Sequence, residues 1–437
     1  MSDSSTATRP EPSFRWAPWW VLAFVALWPA RGVAVGLLVV GALVGVALLV
    51  RHRFWRGSPL LSYEAWALTT VLFLGYWIPE AVSLVGAVDP RETLQNVVGH
   101  LVYLPCLWVA AMAVADRRGR RITFGGIAII VGLWTLDGLV QAFTGWSVAG
   151  RLPAEVDRIN GIFGQDGNFK LGLILASLSP FALTSAARRF GLAGWLLAAA
   201  ALFVVILLAG SRASWISYAL VLAINGWVLL GLRRVVVVLV LGSITIGGLA
   251  YTFSDRLAAR FERTEAALAG DEAGVDHALS GRVAIWRVAW EMTRANPVNG
   301  VGVRGFRCAY PAFAEPDDQF LRPGGGRRCG GEPYGAFHAH QIVLEVLSET
   351  GAIGLLLWLT GAAMAVRAWW FAGSAARLRA AAPGLALLAT VFPFNTHLAF
   401  YSTFWGSVTL LLTALFAGTL LARDRLPGVP AADAAPQ

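Results

Sequence analysis

An all-α membrane protein, with about 12 transmembrane helices and a large, partly helical loop between spans 9 and 10, is predicted by three features of the sequence. Hydrophobic residues make up 57% of the 437 positions and charged residues only 14%, far from the roughly one-quarter charged of soluble domains. The apolar residues fall in repeated runs of about 20, the length a helix needs to cross roughly 30 Å of hydrocarbon. The 19 tryptophans suit a chain with many membrane interfaces, where indoles collect. Barrel strands are excluded because the runs are too long and too uniformly apolar, and only helices then satisfy the backbone inside a bilayer.

The spans are expected near residues 17–30, 32–50, 63–85, 94–115, 122–143, 169–187, 192–208, 213–232, 235–253, 341–366, 383–400 and 404–422. The first two are joined tightly around Pro29-Ala30-Arg31-Gly32, and Pro393, Asn395 and His397 interrupt the eleventh. The polar stretch 1–12 lacks the small-residue cleavage site of a signal peptide, so the first span is expected to be retained. Alternate short loops are rich in arginine: Arg51/Arg53/Arg56, Arg117/Arg118/Arg120/Arg121, Arg188/Arg189, Arg233/Arg234, Arg367/Arg377/Arg379 and Arg423/Arg425. The intervening loops carry Arg31, Arg91 and Arg212. By the positive-inside rule the rich set is cytoplasmic, with both termini inside. The organisation expected is a cytoplasmic tail 1–16, spans 1–9 over 17–253, an external loop 254–340, spans 10–12 over 341–422 and a cytoplasmic tail 423–437.

The loop 254–340 is the longest polar segment and ends in Phe337-His338-Ala339-His340-Gln341. Helix formers with charges at i, i+4 fill 255–268. Val283, Ile285/Trp286, Val288/Ala289 and Met292 then recur at amphipathic spacing, until Asn296-Pro297 stops the helix. Gly300-Val301-Gly302 and the Pro/Gly-rich run 311–335 read as irregular loop. Cys308 and Cys329 share this external segment, where an oxidising compartment favours a disulfide; the alternative is two free thiols. Cys106 lies in a span and reads as a small buried hydrophobe.

The net charge is +9, carried almost entirely by arginine, with Lys170 the one lysine. The arginines are dispersed among spans with no basic, aromatic-interleaved module, so a nucleic-acid partner is not expected. Guanidinium forks bind phosphate oxygens bidentately and do not deprotonate. Arg212 in Ala209-Gly210-Ser211-Arg212, Arg282 in Ser280-Gly281-Arg282 and Arg158 in Arg158-Ile159-Asn160-Gly161 are the external candidates for an anionic site; the bland alternative for each is snorkelling or a surface ion pair. Histidines at i and i+2 cannot share one face of a regular helix, so at most one of His338 and His340 enters a given cleft unless the helix begins between them. A neutral imidazole suits a general base. His-x-His is also a metal-ligand spacing, but no Asp, Glu or Cys cluster sits beside it, and no metal is expected. Asp137, Glu345 and Glu349 are carboxylates inside spans, which keeps proton-coupled transport as an alternative.

His340-Gln341, nine residues, Gly351, two residues and Gly354 resemble the signature of the bacterial O-antigen ligases: His, then Asn, Ser or Gln, a nine-residue gap, Gly, two residues, and a small residue or Tyr. The order of Gly210-Ser211-Arg212, Ser280-Gly281-Arg282 with Trp286, Asn296-Pro297 and Gly300-Val301-Gly302 also resembles that superfamily, which includes O-antigen polymerases and protein O-oligosaccharyltransferases. Arg158 with Gly161, Phe163, Gly164 and Asn168 is similar to the family's segment before the sixth span, although its usual Asn-Pro-Asn reads here Gln165-Asp166-Gly167-Asn168.

The resemblance implies a metal-independent, inverting glycosyltransferase of the bacterial inner membrane that needs no cofactor. Its donor would be O-antigen on undecaprenyl pyrophosphate and its acceptor a sugar hydroxyl of lipid A-core, met at the periplasmic face among membrane lipids. His340 would be the general base and Arg212, Arg282 and Arg158 the pyrophosphate ligands, with His338, Gln341, Asn168 and Ser211 in support. O-antigen polymerase is the second expectation. Protein O-oligosaccharyltransferase is the third, since such chains usually extend well beyond the last spans.

Overall fold

The computed structural model describes residues 15–151, 158–164, 170–237, 240–242, 244, 281–324, 328–395 and 399–423. It is an α-helical bundle in which, among the described residues, eight helices are long and apolar enough to cross a membrane. Helices α1 (Ala17–Ala26), α2 (Arg31–His52) and α3 (Tyr63–Val82) lead into α4 (Pro90–Leu101) and α5 (Tyr103–Ala113), which together make one span. Next come α6 (Arg117–Thr144), α7 (Lys170–Leu208) and α8 (Arg212–Leu230). The polar loop contributes α9 (Arg282–Ala295), and α10 (Ile342–Phe371), α11 (Ser374–Thr390) and α12 (Thr403–Leu420) complete the order. The only sheet among the described residues is the two-stranded hairpin Trp146–Ser147 with Gly150–Arg151.

Helices stand where the sequence predicts spans 1–8, 10 and 12; residues 245–253 of the ninth and the expected helix 255–268 lie outside the described residues. The eleventh is shifted: α11 begins at Ser374 and ends at Thr390, so Arg377 and Arg379 lie in its first turns rather than in a loop. The sixth and seventh are one element, α7, folded back on itself at Gly191 (φ 65°). In a straight helix Gly172 and Ala209 would be about 55 Å apart; here a Cβ on Gly172 would meet the Ala209 Cβ at 3.0 Å. That return brings Lys170, at the start of α7, to the same end of the bundle as Arg212. Asn225 of α8 ties the arms together, donating to Thr184 Oγ1 at 3.1 Å and accepting from Trp195 Nε1 at 2.9 Å. Helix α12 is the central post, with nearly every residue from Trp405 to Leu420 buried. Large apolar side chains such as Leu43, Leu197 and Trp370 point outward, as a lipid-facing surface requires.

The polar loop is joined to the bundle by backbone. Helix α10 is broken at Gly351, whose φ is 64° and ψ −163°. An unbroken helix would pair Ala352 N–H with Ser348 C=O and Ile353 N–H with Glu349 C=O. Instead Ala352 N–H donates to Pro297 O at 2.8 Å and Ile353 N–H to Val298 O at 3.1 Å, while Val301 and Gly302 donate to Ser348 O and Glu349 O at 2.9 and 3.1 Å. Four helix partners are exchanged for four loop partners, so no backbone group is orphaned in a buried place. A Cβ on Gly351 would overlap the Val298–Asn299 backbone, and one on Gly300 the Glu349–Thr350 backbone. The sequence motifs Gly300-Val301-Gly302 and Gly351 are therefore two sides of one contact. The loop's own core is Ile285, Val288, Ala289 and Met292 of α9 against Val301, Phe306, Ala309 and Tyr310. A disulfide joins Cys308 to Cys329, with 5.2 Å between the Cα atoms.

Gly351→Ala is expected to cost about 2–5 kcal/mol, since it combines a left-handed backbone with a backbone clash. Gly36→Ala, on α2 with nothing within 4 Å of its Cβ position, is the control. Thermal unfolding in detergent measures both; equal melting temperatures would refute the contact.

Candidate functional site

Three connections carry arginine to one end of the bundle. Residues 158–164 are pinned there by α6 and α7: Gln141 Oε1 accepts from Asn160 N and Gly161 N at 2.9 and 2.7 Å, and Ile159 N–H donates to Leu208 O at 3.4 Å. Phe163 packs edge-on to Trp134 at 5.3 Å. Arg158 is thereby held at the α7–α8 connection. Arg212 is the first residue of α8, directly after the tight turn at Gly210 (φ 72°) and Ser211, whose buried Oγ makes no hydrogen bond among the described residues. Arg282 is the first residue of α9, entered through Gly281 in the left-handed region.

The electrostatics bring the three together. The guanidinium of Arg282 is pushed down to about 10, first by burial and then by the charges of Arg212 and Arg158. It stays cationic at neutral pH, although like charges gathered in a partly buried place oppose one another. The same guanidinium lies in the field of His338, which links the arginine group to the histidines.

Neither histidine is on a helix: α10 begins after both, at Ile342, and His340 is a left-handed residue with φ 54°. The turn faces the two imidazoles towards each other, with ring centroids 3.9 Å apart, so the helical argument for choosing one over the other does not apply. His340 N–H donates to His338 Nδ1 at 3.2 Å, and that same Nδ1 is 3.5 Å from Glu345 Oε2. His338 is pushed down to about 3, by burial first, then by Arg304, Arg282 and Arg307.

Gln341 caps α10, its Oε1 accepting from Leu344 N at 2.6 Å. Its oxygen is engaged by the helix, so Gln341 supports the site by fixing where the helix starts. Asn168 lies outside the described residues.

Behind the histidines, Glu345 and Glu349 are both 1% exposed. Glu345 Oε1 accepts from Tyr401 N at 3.3 Å, the Arg304 backbone N–H donates to Glu349, and the Arg304 charge acts on both carboxylates. Arg304 and Arg307 were not singled out in the sequence. Arg304 sits at φ 65°, and Arg307 is buried with its guanidinium 5.4 Å from the Phe337 ring centre. Their signal was Gly-rich backbone followed by two arginines in an apolar stretch, which is legible only once the loop is known to dock on α10.

A second buried acid–base pair, Glu80 with His100 Nδ1 at 2.7 Å, lies beside Tyr76 and Tyr103. Asp137 holds the hairpin instead of a proton path, its Oδ1 accepting from Val148 N at 2.8 Å. Among the described residues no three His, Cys, Asp or Glu side chains come together as a metal ion would require.

Fold and site define a polytopic α-helical membrane protein with an arginine-lined, histidine-bearing site at one end of its bundle. Residues 197–359 match the family model described as O-Antigen ligase. The chain is also 24% identical over 322 residues to the "Exopolysaccharide production protein ExoQ" of Rhizobium meliloti (strain 1021), covering 65% of this chain and 67% of that protein. Both matches agree with the superfamily that the motifs resemble, and they support a ligase- or polymerase-type function. The matched region contains Arg212, Arg282, His338, His340, Gly351 and Gly354; Arg158 lies before it.

Two outcomes test the electrostatics. Inorganic pyrophosphate should raise the melting temperature of the wild-type protein, and Arg282→Gln should remove most of that rise without lowering the melting temperature of the ligand-free protein. For His338, the unfolded imidazole takes up a proton near 6.5 and the folded one only near 3. The unfolded state therefore binds more protons between those values, and the contribution lowers stability as pH falls through 6.5. His338→Asn should flatten that part of the stability–pH curve.

Proposed function

We propose that the chain is an O-antigen ligase. It transfers polysaccharide from undecaprenyl pyrophosphate to a sugar hydroxyl of lipid A-core, at the periplasmic face of the bacterial inner membrane. The observation that carries the reading is the field of Arg212 and Arg158 on the partly buried Arg282, whose own charge acts on His338 in the His338–His340 turn. Pyrophosphate is already a good leaving group, and negative charge grows on it as the anomeric C–O bond breaks. Preorganised guanidinium groups stabilise that growing charge more than the ground state, which is what lowers a barrier.

His340 takes the proton of the acceptor hydroxyl as its oxygen attacks the anomeric carbon from the face opposite the pyrophosphate, giving inversion. In this reading the arginines stabilise the charge and His340 moves the proton, and the reaction is metal-independent and uses no cofactor. The polyprenyl chain stays in the lipid among the spans. The arginine-rich loops support a topology with both termini in the cytoplasm and the site outside, with residues 254–340 as the external loop.

An O-antigen polymerase is the second reading, favoured by the exopolysaccharide role printed for the Rhizobium relative. It would use the same donor with a lipid-linked glycan as acceptor. Deleting the gene in its host separates them. Ligase loss should leave free lipid A-core together with polymerised, undecaprenyl-linked glycan, whereas a single repeat unit capping the core marks a polymerase. Unchanged lipopolysaccharide would sink both. With purified protein, His340→Ala should lower transfer by about 10²–10⁴-fold while the protein still inserts and keeps the Cys308–Cys329 mobility shift under non-reducing conditions. Full activity in that variant would remove His340 from the mechanism.

A further inference from the structure

The proposed chemistry uses one histidine of the pair and leaves the other without a task. His338 is nonetheless well enclosed, with its side chain 11% exposed, and it touches His340 twice. Its Nδ1 accepts the His340 backbone N–H at 3.2 Å, and its ring lies against the His340 ring with centroids 3.9 Å apart. The accepted N–H belongs to a residue at φ 54°, a conformation that a side chain with a Cβ adopts only when its surroundings hold it there.

An Nδ1 that accepts a hydrogen bond carries a lone pair, so the ring's single proton is on Nε2 and the ring is neutral. The surroundings agree: burial first, and then the charges of Arg304, Arg282 and Arg307, disfavour a proton on the ring. Glu345, whose Oε2 is 3.5 Å from the same Nδ1, backs the ring and is itself tied through Oε1 to the Tyr401 backbone. Tyr401 begins the approach to the central helix α12. The His340 turn is thus referenced, through His338 and Glu345, to the most enclosed element of the bundle.

We infer that His338 is a positioning residue for His340: a neutral imidazole that accepts the His340 backbone N–H at Nδ1 and lays its ring against the His340 ring, aiming that side chain without taking a proton itself. The inference rests on His340 being the reacting base. Loss of the Nδ1 acceptor frees the left-handed turn, and a base that swings by an ångström loses on the order of 100-fold in rate. Donor binding, which belongs to the arginines, is untouched.

Asn and Phe separate the two contacts, because Asn places an oxygen near the Nδ1 position without a ring and Phe keeps a ring without an acceptor. Full-length protein in detergent, with lipid-pyrophosphate-linked glycan as donor and lipid A-core as acceptor, should give the following. His338→Asn keeps kcat within about fivefold of wild type, His338→Phe loses about 100-fold in kcat, and the donor KM changes less than about twofold in either. The acid limb of the rate profile remains in His338→Asn, because the residue replaced carries no titrating proton.

Hydrogen exchange of the His340 amide gives a readout independent of turnover: slow in wild type and His338→Asn, fast in His338→Phe, with equal melting temperatures showing that all three are folded. Wild-type kcat and slow exchange in His338→Phe would overturn the inference. So would a His338→Asn protein as inactive as His340→Ala with its acid limb gone, since His338 would then carry the proton. If His340→Ala is itself fully active, the ligase mechanism fails, while the exchange result still decides whether His338 holds the turn.

Discussion

The break in α10 at Gly351 is the constraint on which the rest of the site depends. A buried helix can be interrupted only if its four freed backbone groups find partners, because each unpaired group in an apolar interior costs about 1–3 kcal/mol. Residues 297–302 supply those partners, and in doing so they dock the described part of the polar loop at one height on one helix. The docking sets the start of α9, which carries Arg282, and the segment after Gly302, which carries Arg304 and Arg307. The histidine turn enters the same helix one residue before its Gln341 cap. Glycine is needed on both strands of the contact because two backbones meet there without room for a Cβ.

Charge is arranged around that joint in two layers. Near the histidines the charge of Arg304 acts on both Glu345 and Glu349, and the Arg304 backbone N–H donates to Glu349. Further out, Arg282 lies in the fields of both Arg212 and Arg158. Like charges brought that close repel one another, and guanidinium groups in such a place suit the bidentate binding of phosphate oxygens. The left-handed residues His340 and Arg304 also fall at this junction, in keeping with the tendency of strain to collect where function does.

Much of this was legible in the sequence because it depends on local pattern. The spans follow from run length, and the apolar face of α9 from the spacing of Ile285, Val288, Ala289 and Met292, all of which are buried. Arg212 and Arg282 stood out as charges at the ends of short breaks. The fold-back at Gly191 was legible only as two spans, since a run of apolar residues does not say whether the turn between its halves is helical. The displaced eleventh span has a similar cause: Ala-rich residues 374–382 with arginines are good helix formers, but they read as loop when charge alone marks a membrane boundary.

The sequence by itself determined a polytopic helical protein, the amphipathic loop helix and the residue types of an anion site, because hydrophobic periodicity and the chemistry of guanidinium and imidazole are carried by neighbouring residues. Only the tertiary structure decided which arginines share a field, why Gly300 and Gly351 belong to one contact, and how His338 stands to His340. Those facts depend on partners tens of residues apart, on a left-handed turn that no pattern announces, and on burial that changes what a charged group can do.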